Sequence, residues 1–503
     1  MNVFFSHFIA KSLTNIVCLA VLLASSAQAM DLLDVYQLAI VNDQTFAAAT
    51  AERQAAVEAL PQAMAVWFPQ LSASAISQMN WVYQNTAPTY QKYNNHGYTV
   101  TASQNLLNMN AWFAVSEAKA AVNEANAMYA TAAQDLIVRT AAAYFAVLQA
   151  ADNLVLVQAQ KALVKKELSQ AQARFDVGVD AISSIYNAQA SYDSLVAQEI
   201  TANNALISAY QGLQTITGVP INSLQRLMDN LPLVAPMPAS IPAWQNFSEA
   251  HNLSLKVDQY ATVVAKQAIH GSTANHLPSI AATGSYNYNR QNAGQAYAGA
   301  TSTSTTQMDT TGSTSAAGIE VTIPLFAGGA VMSQTRQAQA NYALSYANLE
   351  LLHRQVMASV YQTYSTVLSG VSQIQADRQM ITSKNNALMS NQAAYQAGTM
   401  TIIDVLNAIS DLYSAEKTYS ADQYAYLQNT LKLKQLAGNL SNADLVAINH
   451  FLVTVNTLAL DKIVLPKLDH QDVAQQAMAK AAPEMHQLLA EATKIGAISA
   501  TTT

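Results

Sequence analysis

Few side chains in this sequence are spaced for covalent chemistry. The nine histidines are scattered, without the paired spacing of a helical metal site. No phosphate-cradling glycine loop and no nucleophile elbow occurs, so no cofactor site is expected and an enzyme is the least supported class. Cys18 is the only cysteine, so beyond it there is no disulfide, thiolate metal site or cysteine nucleophile. The chemistry left is electrostatic. Asp404 follows a glycine turn in the run Gly398-Thr399-Met400-Thr401-Ile402-Ile403-Asp404. Alone, it reads as a solvated carboxylate on a helix face. Copies brought together at a constriction would attract cations and repel anions, because low-dielectric walls concentrate their field. Which of these applies depends on the elements that hold it.

Those elements are long. The chain has 503 residues, 51% of them hydrophobic and 11% charged, against about 25% charged in a typical soluble domain. Much of the apolar count is Ala, which suits packed helices better than a large greasy core. Beyond the N-terminus no apolar run near 18 residues stands out as a membrane helix. Residues 1–29 read as a signal peptide: Lys11 is the basic region, Ile16 to Ala24 the apolar region, and Ala27-Gln28-Ala29 the cleavage site. The formal charge is −7, a poor fit to a nucleic-acid partner.

The chain repeats itself. Arg174-Phe175-Asp176-Val177-Gly178-Val179-Asp180 returns as Ala394-Tyr395-Gln396-Ala397-Gly398-Thr399-Met400, and Tyr144 and Leu148 return as Tyr364 and Leu368 at the same offset. Trp67-Phe68-Pro69-Gln70-Leu71 resembles His276-Leu277-Pro278-Ser279-Ile280. The expected organisation is a first repeat over 30–220, a proline-rich linker over 221–245, a second repeat over 246–453 and a C-terminal extension over 454–503. The linker carries Pro232, Pro236, Pro238 and Pro242 and is not expected to be helical.

Within each repeat the period changes. Leu71, Ala73, Ala75 and Trp81 alternate with Ser72, Ser74, Gln78 and Asn80; Tyr98, Val100 and Ala102 alternate with Thr99, Thr101 and Ser103. Ile280, Ala282, Tyr286 and Tyr288, then Ala317, Ile319, Val321 and Ile323, give two more strands, joined by a polar loop over Arg290 to Ala316. Proline-free helical runs follow, long enough to span roughly 100 Å at about 1.5 Å per residue. Gly178 and Gly398 interrupt them and mark tight helix–turn–helix connections.

An apolar face opposite a polar face is the pattern of a membrane barrel wall. Trp67 and Phe68 before the first strand, and Trp112 and Phe113 after the second, fall where an interfacial aromatic belt would lie. A bilayer tolerates no open sheet edge. Four strands cannot enclose a pore; two chains give eight strands and a filled interior, three give twelve and a lumen. The fold class expected is therefore α+β, a trimeric twelve-stranded barrel continued by a long α-helical coiled-coil tunnel. The competing reading is a secreted coiled-coil scaffold or adaptor without a pore, which leaves the bracketed strands unexplained.

The residues also resemble a known family. From Asp34-Val35-Tyr36-Gln37 to Asp444-Leu445-Val446-Ala447-Ile448-Asn449, and above all over Gly398 to Leu406 and Leu412-Tyr413-Ser414-Ala415-Glu416, the chain looks like the TolC family of outer-membrane efflux ducts. That resemblance implies a homotrimer in outer-membrane lipid with a large periplasmic portion. It implies a periplasmic adaptor (membrane fusion) protein and an inner-membrane pump or ABC transporter as partners. It implies an entrance ringed by carboxylates at Asp404 and at the position of Asn407, so one ring of two is kept. It implies a closing link among Tyr395 and the positions of Met400 and Ser184, where the family has an Arg and an Asp. The charged latch would then be missing here, with Asp180 near the first turn as a substitute. The turns Val177-Gly178-Val179 and Ala397-Gly398-Thr399 match where the family's adaptors dock.

Overall fold

The structure, a computed structural model, describes residues 29–84, 89–292, 295–298 and 310–453. The signal peptide, except Ala29, and the extension over 454–503 lie outside the described residues. Helices α1 (Leu32–Asn42), α2 (Gln44–Val57) and α3 (Ala59–Ala65) lead to strands β1 (Gln70–Gln84) and β2 (Thr89–Leu107). Two long helices follow, α4 (Met109–Asp176) and α5 (Ile182–Thr217), then the short strand β3 (Arg226–Leu227). The order then recurs: α6 (Ile241–His251), α7 (Leu253–Ala274), β4 (Ser279–Gln291), β5 (Gln295–Ala298), β6 (Thr310–Thr322), α8 (Ala330–Gln396) and α9 (Ile402–Leu436). Helix α10 (Asn442–Asn449) and strand β7 (Leu452–Val453) close the described chain.

The long helices are matched, with 68 and 36 residues in the first pair and 67 and 35 in the second. The Asn108 side chain caps α4 by accepting from the Ala111 amide at 3.1 Å. Ala111, Ala118, Ala120, Ala125 and Ala127 are buried along the upper part of α4, where α7 packs beside it. By length and composition α4 could itself cross a membrane, contrary to the sequence reading. It instead packs against α5, α7 and α9, so its apolar face serves helix packing.

The four main strands form one antiparallel sheet in the order β1-β2-β4-β6, and β5 pairs with the far end of β2. The register puts like with like. Ala73 faces Val100, which faces Tyr286; Ala102 faces Gly284, which faces Ala317. On the other face Ser74, Thr99, Asn287 and Thr314 stand level. Gly97 is required in this packing, because a Cβ there would lie 2.2 Å from the Tyr288 carbonyl oxygen. The expected loop over Arg290 to Ala316 is shorter than the sequence suggested: β4 runs to Gln291 and β6 begins at Thr310. Thr310, Thr311 and Thr314 of β6 are β-branched and sit comfortably on a pleated surface.

The stretch expected to be a linker is largely built into the fold. Met30 bridges to Leu224, and β3 pairs with β7. Tyr144 donates from its hydroxyl to the Gln225 carbonyl at 2.8 Å, and Tyr426 donates to that of Val234 at 2.8 Å. Helix α6 begins inside the stretch, at Ile241. Pro242 lies in its first turn, where the missing N–H has no intrahelical partner to lose. With α1, α6 and α10 this segment makes a collar around the middle of the long helices. Leu32, Phe145, Leu206, Leu213, Leu224 and Leu445 are fully buried in its core. Ser248 and Asn252 donate to the Leu436 carbonyl at 2.6 and 2.7 Å, fixing the end of α9 on α6 and α7.

Candidate functional site

At the end of the helices farthest from the strands, two turns sit side by side. Both glycines have a left-handed backbone, with φ of 77° at Gly178 and at Gly398. Each turn closes with the same pair of bonds. The Val179 amide donates to the Arg174 carbonyl and the Thr399 amide to that of Ala394, both at 2.9 Å. The Gly178 and Gly398 amides donate to Phe175 and Tyr395 at 2.8 and 3.0 Å. This is a glycine-terminated helix end, whose last carbonyls would otherwise lack partners. Val177, Val179, Ala397 and Thr399 are exposed, and a Cβ at either glycine would meet nothing within 4 Å. The two turns thus present a bare, partly apolar tip.

Behind the tip the two helical pairs are tied by a charged cluster. Tyr395, buried at 2% exposure, donates from its phenol to Asp180. The Arg174 guanidinium lies 4.8 Å from the centre of the Tyr395 ring and bonds Asp180 through Nε at 3.3 Å. Its Nη1 also donates to the Gln396 carbonyl at 3.3 Å, and Ser184 donates to Asp180 at 3.4 Å. One carboxylate therefore joins α4, α5 and α8. Burial, reinforced by the Asp180 carboxylate, pushes the Tyr395 phenol above its usual range, so it remains a donor. Charged partners therefore surround Tyr395, with Asp180 in the place the sequence offered as a substitute. Tyr395 meets Asp180 and Arg174, and Met400 and Ser184 supply no charge. Met400 is exposed, while Ser184 keeps a part as an additional donor. Sequence reasoning missed Arg174, although a signal was present: Arg174 and Asp180 bracket Gly178, whereas Ala394 and Met400 bracket Gly398.

Above this cluster Val164, Leu195, Leu388, Ile402, Val405 and Ile409 form a second core, separate from the collar core. Glu167 is buried beside it at 3% exposure and accepts from Gln392 of α8 at 2.9 Å. Desolvation raises the Glu167 pKa, against a smaller lowering by that hydrogen bond and by Lys166. Groups raised on folding stabilise fully below the unfolded pKa and lose that contribution as pH rises through the folded one. The contact between α4 and α8 is therefore expected to loosen as pH climbs above the ordinary carboxylate range. Glu167→Gln should keep it tight at higher pH. Hydrogen exchange over residues 163–171 from mildly acid to mildly alkaline pH measures this; identical profiles for both proteins would refute it.

Asp404 is half-exposed and turned back on its own helix start. It accepts from the Thr401 amide at 2.9 Å and hydroxyl at 2.7 Å. Those bonds hold its carboxyl below the usual range, so it stays ionised. Asn407 is exposed one turn on. At the strand end, Phe68 and Trp112 are well exposed and Trp67 is half-covered. Phe113 is turned inward and stacks on His270 of α7, with ring centres 5.3 Å apart, so it does not share Trp112's exposure. An exposed pair that sequence reasoning missed follows β6: Leu325 and Phe326, at 91% and 88% exposure. The signal was Pro324, which ends the strand just before them.

The family model described as "Outer membrane efflux protein" matches residues 35–219 and 246–439, one segment for each long-helix pair. The chain belongs to the outer membrane efflux protein family. It is 32% identical over 430 residues to the outer membrane protein TolC of Vibrio cholerae, covering 85% of this chain and 95% of that one. To TolC of Escherichia coli it is 33% identical over 433 residues, covering 85% and 86%. It is also 28% identical to the proteases secretion protein PrtF of Dickeya chrysanthemi, over 84% and 91% of the two chains. Among solved structures, the CmeC outer membrane channel of Campylobacter jejuni superposes with a TM-score of 0.69 at 15% identity, over 84% and 90%, a likeness of fold. As a member of this family the chain is an outer-membrane exit duct. Its sheet is the membrane wall, and its helices form the periplasmic tunnel.

Proposed function

We propose that three copies of this chain make one continuous duct, which carries small molecules and proteins outward from an inner-membrane pump or ABC transporter through a periplasmic adaptor. The observation that carries the proposal is the sheet. An apolar face continues across β1, β2, β4 and the Ala317-to-Val321 end of β6, while β1 and β6 keep an unpaired edge among the described residues. Lipid excludes an open edge, so β6 of one copy must pair with β1 of the next, and twelve strands leave a lumen. Native mass measurement should give three chains, and the purified protein should conduct in a planar bilayer. A conducting monomer or a non-conducting trimer would overturn the reading.

Asp404 and Asn407 are assigned to the entrance, where three ionised carboxylates would favour cations. Asp404→Ala should weaken cation selectivity and Asn407→Asp should strengthen it. Both effects should shrink with salt, since exposed charges are screened over about 10 Å at 0.1 M. The reversal potential under a salt gradient reports this; no change in Asp404→Ala would leave the residue as a helix cap only. The adaptor is assigned to the two turns. Gly178→Trp or Gly398→Trp should reduce crosslinking to the adaptor while trimers still assemble, since nothing in the chain occupies the space beside either glycine. Undiminished crosslinking in both variants would remove the turns from the docking surface.

A further inference from the structure

The collar carries an apolar groove. Val234, Pro236, Met237, Trp244 of α6, Tyr426 of α9 and Phe451 line a cavity of about 420 Å³. Val234 and Met237 are 62% and 77% exposed. They sit at the middle of the long helices, far from the sheet, where lipid does not cover them. The polar side chains that line the groove are already engaged. The Tyr426 hydroxyl accepts from the Val234 amide at 3.0 Å and donates to the Val234 carbonyl at 2.8 Å. Thr430 donates to the Tyr426 carbonyl at 2.8 Å, and the Trp244 indole to that of Pro238 at 2.9 Å. Lys434 is paired with Asp444. What the groove offers is apolar contact, which suits aliphatic side chains better than a polar ligand.

The place where the described chain ends points to the occupant. Phe451 lines the groove, and β7 ends two residues later at Val453, about 7 Å farther at about 3.4 Å per residue. The sequence continues as Thr454-Val455-Asn456-Thr457 and then Leu458-Ala459-Leu460-Asp461-Lys462-Ile463-Val464-Leu465. Leu458, Leu460, Ile463, Val464 and Leu465 fall within that second run, against one charge of each sign, and Pro466 ends it. The residues from 454 to 458 reach about 17 Å when extended, more than the distance back to Phe451. A segment tethered so closely meets the groove at an effective concentration in the millimolar range, an advantage that a separate partner lacks. We propose that residues 458–465 pack their aliphatic side chains into the groove of their own chain. The C-terminal extension is then a strap over the collar, covering Val234 and Met237.

The test uses the full-length protein, whose only native cysteine, Cys18, lies in the expected signal peptide. Val234→Cys is introduced, and its labelling by a water-soluble maleimide is timed. Adding Leu460→Gln and Ile463→Gln should speed the labelling by about tenfold, because an amide forfeits most of what burying an aliphatic side chain gains. Adding Val473→Gln and Met478→Gln instead, farther along the extension, should leave the rate unchanged. A second variant combines Val234→Cys with Asp461→Cys. Mild oxidation should join the two within one chain, which then runs as a monomer on a denaturing, non-reducing gel. An unchanged labelling rate with Leu460→Gln and Ile463→Gln, or equal acceleration by both pairs, would overturn the proposal. Disulfide-linked dimers would overturn it too, by placing a neighbouring copy's extension in the groove.

Discussion

Asp180→Ala is expected to leave the duct assembled and hold it open. The substitution removes the one acceptor shared by Tyr395, Arg174 and Ser184. It leaves a phenol without a partner behind the tip and a largely covered guanidinium without its counter-charge. Stranding such groups costs about 1 to 3 kcal/mol. If that cost falls on the closed arrangement alone, the closed-to-open ratio drops by roughly 5- to 150-fold. Single-channel recordings should show a larger and longer-lived conductance than wild type. Arg174→Gln should act in the same direction and more weakly, because Tyr395 keeps its acceptor. Ser184→Ala should act least, since its bond is the longest of the set at 3.4 Å. Wild-type conductance in Asp180→Ala would show that the cluster holds the tip's shape without holding it shut.

The second large effect concerns a glycine at the collar. Gly438 ends α9 with a φ of 75°, and a Cβ there would lie 2.1 Å from the His251 carbonyl oxygen. The obstruction is backbone, already fixed by the bonds that Ser248 and Asn252 make to Leu436. Gly438→Ala should therefore destabilise the fold by about 3 to 5 kcal/mol, in the range reserved for overpacking combined with a strained backbone. Gly398→Ala, with the same backbone hand but open space around it, should cost about 1 to 2 kcal/mol. Thermal melts of the two variants give the comparison. Similar melting points would mean that the collar yields where it is expected to be rigid.

What could be read from the chain follows from what is local. The alternation around Ala73, Val100 and Tyr286 gave the strands, because period and chemistry coincide there. The proline-free runs ended by Gly178 and Gly398 gave the helices and their turns, because a left-handed residue at a helix end favours glycine. The collar was less legible. Pro232, Pro236 and Pro238 announce only that helix is absent, whereas the Tyr144 and Tyr426 bonds that anchor the segment join residues far apart in the chain. The tip cluster was hardest. Whether Arg174 meets Asp180 over Tyr395 depends on how two helical pairs are rotated against each other, which no spacing within one of them records. Phe113 shows the same limit, since its inward turn is decided by His270 on α7.

The separation between the collar core and the tip has a mechanical meaning. Leu154 is the last residue of α4 in the collar core, and α4 continues to Asp176, roughly 33 Å farther at about 1.5 Å per residue. A stiff rod pivoting at Leu154 amplifies any rotation over that length. A tilt of about 5° would carry its end by about 3 Å over the helical rise, well beyond the reach of a hydrogen bond. Near the pivot the same tilt moves atoms by a small fraction of that distance, within what side-chain adjustment can absorb. A partner pressing on the tip would thus work against the second core around Val164 and the polar bonds around Asp180, with the collar acting as a fulcrum whose packing need not be broken.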